Sequence, residues 1–225
     1  MQTENQEITK EEIKKEFQLE RMILFSDAVF AIVITLMAIE IHLPELPHGV
    51  KYTEASFLVA LKHLWPIVFA YALSFFFIGQ MWYKHLQLFA LLKEYNKGLV
   101  IRNLIFLFFI GLFPFGASMI VSGNILTPFL LYLSILICCF AAQILLQDYI
   151  VNRSKGITIN TDFTDERIDL KKKTATIIVM VSCGLLALIT AKLIENSEEK
   201  PYAFAWIIVF VIAARIINTK NGAKK

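Results

Sequence analysis

Asp27 is the residue in this chain that most needs a chemical reason. It lies in RMILFSDAVFAIVITLMAIEIHLP, residues 21–44, between apolar neighbours, with Ser26 beside it and Arg21 six positions before it. A carboxylate one to two turns inside an apolar helix normally faces protein or water and has a partner, because charge in hydrocarbon is expensive. Arg21 stands farther away than the three or four residues of a local helical pair. The candidate partners are therefore Arg21, Arg102 and, later in the chain, Trp82 and His85. Ser26 and Asp27 are also good helix caps, but the apolar residues on both sides favour a helix that runs through them. Two uses remain open: a satisfied structural network, or proton sensing through His85.

A second pattern follows on the same segment. Ile32, Thr35, Leu36 and Ile39 stand at i, i+3, i+4 and i+7, one stripe of a helix. Asp27 lies about 140° away from Ile32 around that helix, on a different face. Spacing alone assigns such a stripe to helix packing, and Thr35 to hydrogen bonding with a carbonyl one turn earlier.

Other chemistries find no support. There is no G-x-S-x-G, no H-E-x-x-H and no Gly-rich phosphate loop, and the four histidines (His42, His48, His63 and His85) are scattered. Cys138, Cys139 and Cys183 lack metal-ligand spacing and read as apolar fillers. No enzyme, metal or cofactor is expected. The T-V-G-Y-G carbonyl filter is absent as well, so any ion path must be lined by side chains.

The elements that position these residues follow from composition. Hydrophobic residues make up 57% of the chain and charged ones 18%, more apolar surface than a soluble chain of 225 residues can hide. Six apolar runs, near 22–43, 57–83, 99–122, 125–147, 173–193 and 201–218, approach the length a bilayer demands. Continuous apolarity excludes barrel alternation, so the expected fold class is all-α, a polytopic membrane protein of six transmembrane helices. Pro66, Pro114 and Pro128 fall inside spans.

Loop charge alternates with these crossings. Lys10, Lys14, Lys15 and Arg21 precede the first; Lys84, Lys93, Lys97 and Arg102 flank the second connection; Arg153, Lys155, Arg167, Lys171 and Lys172 fill 148–172. The opposite loops hold few, such as Lys51, Lys192 and Lys200. The pattern predicts a multi-pass cell-membrane protein with both termini cytoplasmic. The expected organisation is an N-terminal extension at 1–20, a membrane domain at 21–218 and a tail at 219–225. The extension carries charge rather than an apolar core, so no cleavable signal is expected. It reads as a helical prolongation of the first span, with pairs such as Glu11 and Lys15. The 148–172 loop reads as a connector, with a helix start near Thr164. A net charge of +3, with no basic patch interleaved with aromatics, argues against nucleic acid as a partner.

The first span also resembles a known signature. R-x-x-x-F-S-D at Arg21, Phe25, Ser26 and Asp27, followed by AVFAI-x-x-TL and EI-x-LP, is similar to that of the endosomal–lysosomal type potassium channel family, in its prokaryotic single-repeat branch. W-Y-K-H at Trp82–His85 and RNLIFLFFIGLFPF, with Asn103, Pro114 and Phe115, extend the resemblance. It implies a potassium-permeable channel in the lipid bilayer, assembled as a homotetramer around four first spans, with sodium passing less well. In that scheme Ile32, Leu36 and Ile39 are apolar pore rings acting as a hydrophobic gate, and Thr35 is a hydroxyl layer bearing on selectivity. Arg21, Ser26, Asp27, Trp82 and His85 form a polar network at the cytoplasmic end. The alternative is a secondary or proton-coupled cation transporter, which would want broken helices and acids near the midplane. A purely structural membrane protein is a third.

Overall fold

The computed structural model describes residues 2–39, 41–43, 49, 51–121, 126–153, 156–159 and 162–193. The sixth apolar run at 201–218, the tail and Glu40 lie outside the described residues. A chain surrounded by lipid must pair its backbone polar groups internally, and the apolar runs accordingly form helices: α1 Gln2–Ile39, α2 Glu54–Phe89, α3 Lys97–Gly111, α4 Phe113–Val121, α5 Leu126–Asp148 and α6 Thr164–Leu193. A π-helical turn, Tyr149–Arg153, prolongs α5. Five helical stretches have the length and apolarity to cross a membrane. Among the described residues there is no strand, only an isolated bridge between Leu92 and Thr158.

Local chemistry sets the boundaries. Before α2, Thr53 and Ser56 form a reciprocal cap: Ser56 N–H donates to Thr53 Oγ1 at 3.3 Å and Thr53 N–H to Ser56 Oγ at 2.9 Å. Asn96 caps α3 by accepting from Leu99 N–H at 2.8 Å. Asp162 accepts from both the backbone and the hydroxyl of Thr164, at 3.1 and 2.6 Å, so α6 begins where the sequence predicts a helix start. The same two bonds hold the Asp162 carboxyl below the usual carboxylate range.

The third predicted span is two helices rather than one. Leu112 N–H turns back to Phe109 O at 3.3 Å, and α4 restarts with Pro114 in its first turn, where the missing N–H does no harm. α2, in contrast, runs unbroken through Pro66. α1 is a single helix across the predicted boundary at residue 20.

α5 packs against α3, α4 and α6, while α1 packs against α2, α3 and α4. Phe30, Val33 and Met37 of α1, Ile78 of α2, and Phe106 and Ile110 of α3 share one buried cluster. Association of helices in lipid relies on close packing and interhelical hydrogen bonds. Both are present. A Cβ at Gly116 of α4 would stand 2.8 Å from Ile135 Cδ1 and 3.1 Å from Tyr132 Cδ2 on α5. Tyr132 and Ser74 share a 2.8 Å hydrogen bond that ties α5 to α2.

The 148–172 segment is more than a tether. Lys93 N–H donates to Ile157 O at 2.9 Å and Ile159 N–H to Leu91 O at 2.8 Å, docking it on the α2–α3 connection. Tyr149 hydroxyl donates to Asn96 Oδ1 at 3.0 Å, and the Arg102 guanidinium lies 4.0 Å over the Tyr149 ring.

Candidate functional site

α1 has two unlike faces. Leu19, Ser26, Phe30, Val33 and Met37 are buried against the chain's own helices, Phe30 and Met37 to 2% exposure. Around the other side Ile32, Leu36 and Ile39 are 56%, 45% and 69% exposed, and Thr35 is exposed with them. Among the described residues, nothing of the chain covers the predicted stripe. At 1.5 Å per residue it extends about 10 Å along the axis. The Thr35 hydroxyl has two carbonyls in reach, Ala31 O at 3.0 Å and Ile32 O at 2.9 Å. Either bond turns the hydroxyl hydrogen back toward the preceding turn and leaves the exposed oxygen free to accept.

At the other end of the segment, α1 is held by two polar connections. Trp82 Nε1–H on α2 donates to Asp27 Oδ1 at 2.8 Å, which selects one of the four candidate partners. Beside it runs a chain through three helices. Ser26 hydroxyl donates to Met22 O at 2.9 Å and accepts from Asn103 Nδ2 at 2.8 Å. Asn103 Oδ1 lies 2.9 Å from His85 Nε2, and since that oxygen only accepts, the proton of His85 sits on Nε2. Ser26, His85 and Asn103 are buried, and His85 stacks on Phe89 at 3.9 Å with Phe30 and Phe106 flanking it. These bonds join α1, α2 and α3 at one buried junction.

Within the chain, Ser26 and His85 meet through Asn103, and Asp27 meets Trp82. Arg21 joins neither; it is exposed and has no hydrogen bond or ion pair among the described residues. Arg102, also considered for Asp27, donates instead to Gly98 O at 3.0 Å. Asn103 is the residue sequence reasoning left without a role. Its one signal is an amide in the apolar run RNLIFLFF, where lipid offers no partner. Among the described residues no cluster of histidine, cysteine and acid has the makings of a metal site.

Spanning-length helices with an apolar exterior, joined by polar links at one end, define a multi-pass α-helical membrane protein. Its fold is that of TMEM175 channels. A crystal structure described as a lysosomal potassium-selective channel TMEM175 homolog from Chamaesiphon minutus matches with a TM-score of 0.66 over 88% of this chain and 99% of that one, at 22% identity. Residues 21–114, which hold the stripe and every link just described, match the model of the endosomal/lysosomal potassium channel TMEM175 family. A potassium channel of Streptomyces collinus is 35% identical over 102 residues, 44% of this chain and 46% of that one. The endosomal/lysosomal proton channel TMEM175 of Gallus gallus is 36% identical over 99 residues, 42% of this chain and 20% of that one. The matched segment thus spans about half the length of the bacterial relative.

Proposed function

We propose that this protein is a potassium-permeable cation channel, a homotetramer in the cell membrane with four α1 helices around a central path and both termini cytoplasmic. The observation that carries it is the bare stripe of α1. Ile32 and Ile39 are more than half exposed while the opposite face of the same helix is fully packed. Lipid would accept such a face, but the stripe also carries the exposed hydroxyl oxygen of Thr35, which lipid does not reward. The relatives named as potassium channels support the same reading.

In this scheme Ile32, Leu36 and Ile39 form stacked apolar collars. A narrow collar empties of water and blocks ions; a widened one admits a partly hydrated ion. Potassium gives up water more easily than sodium, and the Thr35 oxygens stand in for part of what is lost, so sodium passes less well. Neutral collars do not choose the sign of charge, which falls to helix dipoles, carbonyls or acids at the mouths.

Purified protein in a planar bilayer under a potassium–sodium gradient tests the proposal. Unitary currents reversing toward the potassium equilibrium potential are expected. Coupled flux without unitary steps would establish the transporter alternative, and no flux a structural role. A proton gradient in the same chamber separates potassium permeation from proton permeation, the activity named for the vertebrate relatives.

A further inference from the structure

A second place in the fold has the makings of a binding site. Between α2, α5 and α6, where α2 and α5 end and α6 begins, lies a cleft of about 410 Å³. One end is cationic, with Lys84, Lys172 and Lys173 against the single carboxylate of Asp169. The other end is an apolar wall that includes Phe76, Met81 and Phe140. Asp169 is held by Lys173 at 3.0 Å and, more loosely, by Lys84 at 3.8 Å. Lys172 takes no part in those bonds, so the cationic end carries positive charge in excess.

Two glutamines one turn apart on α5 show what is missing. Gln147 is fully engaged: its amide donates to Glu166 O at 2.9 Å and its oxygen accepts from Lys173 Nζ at 2.7 Å. Gln143, 2% exposed and lining the cleft, has a side-chain oxygen without a donor among the described residues. An unpaired acceptor at that depth is costly, and its position in the cleft marks where a ligand hydroxyl belongs.

We propose that this cleft binds an anionic phospholipid whose headgroup carries hydroxyls, with the phosphate on Lys84 and Lys172, a headgroup hydroxyl donating to Gln143, and an acyl chain along the phenylalanine wall. Basic pockets between membrane helices, at the end bearing the Lys- and Arg-rich loops, are where such headgroups bind. Three features favour lipid over a soluble anion: the apolar wall with its phenylalanines, its place in the same cleft as the lysines, and the placement among spanning helices. An adjoining cleft shares Lys84, Asp169 and Lys173 and adds Asp165 and Glu166, which turn its balance acidic.

Native mass spectrometry of the purified protein, titrated with phosphatidylglycerol, phosphatidic acid, phosphatidylcholine or inorganic phosphate, tests this. Phosphatidylglycerol adducts should persist on the wild type and exceed those of phosphatidylcholine. Lys84→Gln and Lys172→Gln should each weaken them roughly fivefold, and Lys171→Gln, an exposed neighbour outside the cleft, should not. Gln143→Leu removes the unpaired acceptor, so the lipid-free protein should melt no lower while its preference for phosphatidylglycerol over phosphatidic acid declines. Equal retention of phosphatidylglycerol by the Lys84→Gln, Lys172→Gln double variant would overturn the proposal. So would inorganic phosphate competing fully with the lipid, which would make the site one for a free anion.

Discussion

Trp82 answers Asp27 with a neutral N–H rather than a positive charge, and that choice has consequences. An indole adds no second charge to desolvate, and the carboxylate keeps its remaining acceptor capacity. Asp27→Ala removes the acceptor and strands the indole, which should lower stability by about 1–3 kcal/mol. Asp27→Asn, which still accepts, should recover most of it. Thermal melting and size exclusion in detergent would show the loss, with little change in ion preference; a shift in reversal potential at unchanged melting temperature would remove the structural role. Thr35→Ala should act in the opposite way, lowering potassium-over-sodium selectivity while the melting temperature holds, since the lost bonds are back-bonds within one helix. A reversal potential that does not move would place selectivity elsewhere. At this scale the sequence exposed Asp27 as a problem and named Trp82 among its solutions. Asn103 stayed without a role because its partners, Ser26 and His85, come from other helices.

Helices show where periodicity suffices and where it fails. Each described span coincides with an apolar run, since length and apolarity are what a bilayer reads. The break after Gly111 was not legible, because a proline is only a permissive signal. Pro66 lies inside an unbroken α2, while Pro114 follows a break whose restart it suits. Neither was the docking of 157–159 on 91–93, a pairing between two connections distant in sequence. Gly116 is what lets α4 approach α5 beside that break. Gly116→Leu should drive into Ile135 and Tyr132 and destabilise by about 1–3 kcal/mol, read as a lower melting temperature in detergent. Melting unchanged from the wild type would mean that α4 and α5 part without penalty.

The whole molecule joins a rigid junction to an open face. Ser26, Asn103 and His85 fix α1 to α2 and α3 near its middle, and Phe30, Val33 and Met37 continue that contact upward. The stripe from Ile32 to Ile39 is thereby presented on a helix that its own chain holds in place, which is what a pore wall requires. The stripe itself was legible as a stripe; its exposure was not, because spacing does not distinguish a face that packs inward from one left bare. Its use as the conducting surface is the central claim, and single-channel conductance of Ile32→Asn and Ile39→Asn tests it most directly. A polar amide in a collar keeps it wet, so both variants should show larger or more frequent potassium currents than the wild type. Wild-type currents from both variants would contradict the claim and move the ion path away from α1.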